Sequence, residues 1–143
     1  MKLTLTVKSA LLASAALLAL GSAAGYAANK YNKPKSVLHV VTLYYKDGTT
    51  PEQKKAVLDG IENMAENVPG IKNVWLKSTK VQGAYLEKLP DGTMKSHPFT
   101  DAFVIEFENE AAFKAYDDAP AHRAWEKIYL AVRGRSSTHD ITN

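Results

Sequence analysis

Hydrophobic and polar positions change rhythm several times along the chain. Val37 to Tyr45 (VLHVVTLYY) is dense in β-branched and aromatic residues, which predicts a strand. Its odd positions, Val37, His39, Val41 and Leu43, share one face. Its even positions, Leu38, Val40, Thr42 and Tyr44, share the other. Both faces are largely apolar, so both need cover. Lys46-Asp47-Gly48 ends the run with a turn signal. The period then lengthens. Val57, Ile61, Met64 and Val68 recur at 4, 3 and 4, the stripe of a helix opening at Thr49 or Thr50 with Pro51 in its first turn. Pro69-Gly70 stops it.

Residues 71–80 form a weaker second strand. Residues 81–98 form an excursion in which Pro90-Asp91-Gly92 predicts a small hairpin over 84–97. Thr100 to Glu108 is a third strand, with Asp101, Phe103, Ile105 and Phe107 on one face. Asn109 caps a short helix that reaches Tyr116, and Asp117 to Pro120 breaks it. A further helix over 121–133 carries Trp125, Ile128, Tyr129 and Val132, and Gly134 suits its end. A final strand spans 137–142. Two β-α-β halves predict a ferredoxin-like α+β fold, a four-stranded antiparallel sheet with helices on one face. The other face of the sheet is also apolar, so a second copy is expected to cover it in a homodimer.

The first 27 residues read differently. Lys2 and Lys8 precede an apolar run, Ala10 to Leu20, interrupted by Ser14, and small residues follow. This is the layout of a secretory signal peptide, and its apolar core is well short of the ~20 residues a membrane-spanning helix needs. Cleavage after Ala24 or Ala27 suits the small-residue rule. We take 1–27 as the signal and 28–36 as a polar linker, and expect a periplasmic or secreted protein without a membrane anchor once cleaved. The uncleaved alternative is an anchored chain. Without Lys2 and Lys8, 16 basic side chains stand against 15 acidic ones. The remaining chain has no basic block, so nucleic acid is a poor partner. Zero Cys excludes disulfides, thiolate metal sites and a Cys nucleophile. His residues fall at no metal-ligand spacing, and no glycine-rich phosphate loop or Gly-x-Ser-x-Gly occurs, so neither metal nor cofactor is expected.

Four features in order carry a family likeness: His39 on the first strand, Pro69-Gly70 after the first helix, the strand Asp101–Glu108, and Tyr116-x-x-x-Pro120-x-His122. From about Ser36 to Thr142 the chain resembles the stress-responsive A/B barrel domain, a dimeric α+β barrel family. The resemblance implies a ligand pocket between sheet and helices, as in the plant polyketide cyclase members. There a Tyr and a His work as acid and base, matching Tyr116 and His122. A first-strand pocket His matches His39 and a last-strand Asp matches Asp140. A third-strand pocket His is replaced by Asp101, a departure from the cyclase pattern.

Each residue also has a plainer role. His122 could shuttle a proton or simply cap its helix; Tyr116 could donate to a carbonyl or pack in the core. His39 is a general base or a core His tied to a neighbour, and Asp101, on its face, is the expected neighbour. Asp140 is expected to orient His122. Phe103 and Trp125 are expected to line the pocket with His39. Three functions follow: an exported protein binding a small apolar or aromatic molecule, a cofactor-free lyase or cyclase acting on a polyketide-like carbonyl compound, or a non-catalytic stress-protective dimer.

Overall fold

The computed structural model describes residues 33–143. The expected signal peptide and the linker up to residue 32 lie outside the described residues. Among the described residues no helix is long and apolar enough to cross a membrane. The elements run β1 (Val37–Tyr45), α1 (Pro51–Asn67), β2 (Ile71–Trp75), β3 (Ala84–Lys88), β4 (Met94–Pro98), β5 (Asp101–Phe107), α2 (Glu110–Asp117), α3 (Pro120–Val132) and β6 (Arg133–Ile141). Four strands form an antiparallel sheet in the order β2-β5-β1-β6, and β3 and β4 pair separately as a hairpin. This is the expected ferredoxin-like α+β arrangement.

The alternation along β1 decides which side the helices take. Val37, Val41, Leu43 and Tyr45 are buried, so the odd face lies under the helices. On β5, opposite it, Phe103, Ile105 and Phe107 are buried on the same side. Helix α1 begins where Thr50 accepts from the Gln53 backbone N–H and Gln53 reaches back to the Thr50 N–H, a reciprocal cap. Its predicted stripe, Val57, Ile61, Met64 and Val68, is buried throughout, each side chain contributing about 1.5–3 kcal/mol of transfer free energy. Helix α2 is capped by Asn109, whose side chain accepts from the Ala112 N–H.

Three features differ from expectation. Strand β2 stops at Trp75, because Lys77 to Gly83 is polar and leaves the sheet to reach the hairpin. Helix α3 buries His122, Trp125, Tyr129 and Val132, at 3, 4 and 3, while Ile128 is exposed. Gly134 does not end the helix. The last helical residue is Val132, and Gly134 lies inside β6 at a register shift, where a β-carbon would overlap the Tyr44 ring.

The open face of the sheet presents Leu38, Val40, Thr42 and Tyr44 of β1, Val104 of β5, Trp75 of β2 and Ile141 of β6, with Trp75 and Ile141 exposed. Glu106 interrupts it. Its carboxylate accepts from Asn73 Nδ2 at 2.6 Å and Lys72 Nζ at 3.1 Å, contacts that hold its pKa below the usual carboxylate value, the Asn73 bond foremost.

Candidate functional site

Helices α2 and α3 meet over the β1–β6 half of the sheet, and a cavity of about 110 Å³ opens between them. Its floor is His39, Val41, Phe103 and Thr138; its roof is Tyr116, His122, Trp125 and Tyr129. Exposed Asp117 and Leu130 lie at the rim, with Glu126, Arg133 and Ser136. Of the expected site residues, His39, Phe103, Tyr116, His122 and Trp125 are therefore brought together. Asp140 and Asp101 are not part of the lining.

Helix α3 positions most of the roof. Pro120 suits its first turn, and the Tyr116–Pro120 break turns the chain so that the His122 and Tyr116 rings lie 4.0 Å apart between centroids. His122 Nδ1 lies 3.1 Å from the Asp117 carbonyl oxygen. A carbonyl only accepts, so Nδ1 carries the proton, and in the neutral ring Nε2 keeps its lone pair. Trp125 donates from Nε1 to the Val57 carbonyl at 2.8 Å, which pins α3 to α1. The indole stacks on Tyr129, with centroids 4.8 Å apart, and meets the Phe103 ring edge-on.

Tyr116 is buried. Burial, with the nearby Asp117 charge behind it, pushes its pKa well above the ordinary tyrosine value. Tyr116 is thus a neutral donor at physiological pH, not a phenolate. Tyr129 is raised too, chiefly by burial, with Ser136 and Arg133 near its hydroxyl pulling the other way.

The two expected carboxylate pairings are both corrected. Asp101 does not reach His39: His39 faces Ile105 across the β1–β5 pair, while Asp101 lies opposite Leu43, four residues further along. Asp101 accepts instead from Thr100 Oγ1 and borders a neighbouring cavity of about 150 Å³ with Leu43, Tyr45, Leu58 and Leu76. There burial, with the Asp101 charge second, pushes the Tyr45 pKa up to about 12. Phe103 borders both cavities. Asp140, expected to orient His122, lies directly opposite His39 across the β1–β6 pair and accepts from its Nδ1 at 2.6 Å. The carboxylate fixes the His39 tautomer and leaves Nε2 of the neutral ring free, beside Phe113 and Tyr116.

Several lining residues escaped sequence reading. Arg133, whose guanidinium lies 5.4 Å from the Tyr129 ring centroid, read as a helix end. Glu126, on the same helix, also borders the cavity. The 3.6-residue period from His122 through Trp125 and Tyr129 carried the signal that α3 turns these neighbours toward the sheet. Among the described residues no group of three His, Cys, Asp or Glu could hold a metal ion.

A strand-floored, helix-roofed cavity at this place in a ferredoxin-like fold defines the class. The profile of the stress responsive A/B barrel domain matches residues 37–143, and the chain belongs to that family. No curated protein sequence matches it. Solved structures share the fold. A dimeric ferredoxin-like protein of unknown function from Thermobifida fusca is 24% identical, with a TM-score of 0.55 over 80% of this chain and 97% of that one. A hypothetical protein of Arabidopsis thaliana is 24% identical, with a TM-score of 0.57 over 79% and 92%. A hydroxynitrile lyase from Passiflora edulis is 18% identical, with a TM-score of 0.55 over 76% and 93%.

Proposed function

We propose that this chain is an exported, homodimeric A/B barrel protein that binds a small apolar or aromatic molecule in the cavity between α3 and the sheet. The observation that carries this reading is the lining itself. Phe103, Trp125, Tyr129 and Val41 give it apolar walls, Glu126, Arg133 and Ser136 share the lining as polar groups, and Tyr116 and His122 add a hydroxyl donor and a lone pair. Size limits the occupant. About 110 Å³ is below the ~150 Å³ of an apolar cavity known to admit benzene. A small ring or short carbonyl compound therefore fits with part of it at the open rim, and a folded polyketide does not.

Export rests on the first 27 residues, and pairing rests on the apolar open face together with the dimeric description of the Thermobifida relative. With Trp75, Val40 and Leu38 covered by a second copy, the sheet would be shielded on both sides. Nucleic acid has no basic surface block to dock on.

A second reading has its own support. Tyr116 is a protonated donor, His122 keeps an Nε2 lone pair, and His39 is fixed by Asp140. These are the parts of a cofactor-free lyase that releases a small carbonyl compound: with a cyanohydrin, His122 Nε2 would take the hydroxyl proton as the carbon–carbon bond to the nitrile breaks, Tyr116 would hydrogen-bond the oxygen that becomes the carbonyl, and the departing cyanide would take the proton back from His122.

Benzaldehyde titration of the Trp75→Phe protein tests both, with Trp125 as reporter. Binding predicts saturable quenching of Trp125, weakened about tenfold by His122→Ala. Quenching that stays linear to millimolar concentration refutes the binding reading. Turnover of a benzaldehyde-derived cyanohydrin, lost in both Tyr116→Phe and His122→Ala, supports the lyase; turnover unchanged in both removes it.

A further inference from the structure

The β3–β4 hairpin interrupts the fold between β2 and β5. Its register places Tyr85, Glu87, Lys95 and His97 on one face and Leu86, Lys88, Met94 and Ser96 on the other. The first face leans on the end of the open side of the sheet. His97 stacks on Tyr44 at 5.0 Å and 11°, and the Arg135 guanidinium lies 5.1 Å from the Tyr85 ring centroid. Tyr44 and Arg135 are paired residues on that open side. Glu87 accepts from His97 Nε2 at 2.8 Å and holds the ring flat against Tyr44. The second face has no cover: Leu86 is 58% exposed and Met94 56%.

A face-to-face pair of sheets is separated by about 10 Å, and the hairpin occupies that same layer over the Tyr44–Arg135 rung. Two hairpins over one end would claim the same space. A two-fold pair must therefore set them at opposite ends, each beneath the far end of the other copy's sheet. That end carries Leu38 and Ile141, paired across β1 and β6, and Ile141 is 54% exposed. Charge agrees: Lys88 stands on the hairpin's outer face, and exposed Glu108 directly follows β5 at the opposite end of the sheet.

We propose that the hairpin is a clasp, gripped between two sheets, with Leu86 and Met94 packing on Leu38 and Ile141 of a second copy. This rests on the homodimer reading and adds where the axis lies and what the inserted segment does. It also separates dimer contacts, at the open face, from the ligand cavity on the helix side.

The chain has no Cys, so an introduced pair reports cleanly. Within one chain positions 86 and 141 lie toward opposite ends of the sheet. Tyr44 and Leu38 mark those ends, six residues or about 20 Å apart, too far for an internal disulfide. The doubly substituted Leu86→Cys, Ile141→Cys protein should oxidise to a covalent dimer, whereas Leu86→Cys alone should not. Replacing residues 84–98 with a Gly-Ser linker should weaken dimerisation at least tenfold in sedimentation; if that variant does not fold, the cysteine pair decides alone. Efficient cross-linking by Leu86→Cys alone would show hairpin meeting hairpin and overturn the clasp. A dimeric native protein whose cysteine pair stays unlinked overturns the clasp and spares the dimer. A native protein that sediments as a monomer at micromolar concentration overturns both.

Discussion

Gly60 sits in the interior of α1, where alanine ordinarily stabilises a helix by about 0.8–1 kcal/mol. Here the opposite sign is expected. A β-carbon at position 60 would lie 2.5 Å from Trp125 Cδ1, against the ~3.5–4.0 Å of a carbon–carbon contact, so the ring must retreat by about 1 Å. It cannot do so freely. Nε1 is bonded to the Val57 carbonyl, and Tyr129 and Phe103 press on the ring from other sides. Losing or stretching a buried N–H bond costs about 1 kcal/mol, and overpacking a filled core adds about 1–3. Subtracting the helix gain leaves Gly60→Ala about 1–3 kcal/mol less stable. Urea unfolding of Gly60→Ala in a Trp75→Phe background measures this, and Trp125 emission reports the ring's displacement. Because Trp125 is the cavity roof, benzaldehyde binding should weaken in parallel. A variant about 1 kcal/mol more stable, with unchanged emission, would refute the placement of Trp125 against Gly60.

The other expectations are smaller. Thr50→Ala removes one half of the reciprocal cap of α1 and should cost about 1 kcal/mol in urea unfolding. Glu106 has a depressed pKa, so its contribution is present above the ordinary carboxylate value and lost as pH falls through the folded one. Glu106→Gln should lower thermal stability at pH 7 and match the native protein near pH 3; an equal deficit at both pH values counts against this. Tyr45 is raised to about 12 from 10.0. Stability from its burial is therefore full below pH 10 and should fall as pH rises toward 12, a loss that Tyr45→Phe abolishes in alkaline melts. Asp140→Asn should broaden the His39 imidazole nitrogen resonances by freeing its tautomer, with the His122 signals unmoved; movement of His122 instead would restore the pairing the structure has replaced.

Periodicity carried most of the fold. The 4-3-4 stripe of α1 and the alternation of β1 are local patterns, and each element they predict is present. The errors arose where a tertiary contact overrides local chemistry. Gly134 reads as a helix terminator, yet its glycine is needed because the Tyr44 ring occupies the β-carbon's place. Asp101 shares a face with His39, as predicted, but register, not facing, decides contact, and the β1–β6 register puts Asp140 there instead. Tyr116, His122 and Trp125 came together because the Asp117–Pro120 break is written locally. Arg133 and Glu126 were missed because a charged residue on an amphipathic helix gives no sign of which rim it borders. The stack of His97 on Tyr44 depends on how the hairpin folds back, which no local pattern writes.

The cavity's floor and roof draw on different parts of the chain. Val41 and Thr138 are woven into strands whose alignment the whole sheet enforces, whereas His122, Trp125, Glu126 and Tyr129 ride on one helix. Lineages can therefore retune what the protein holds by exchanging a handful of residues on that helix, leaving the weave beneath it untouched. One scaffold can in this way serve unrelated molecules, and divergence should concentrate in the thirteen residues of α3 before it reaches the strands.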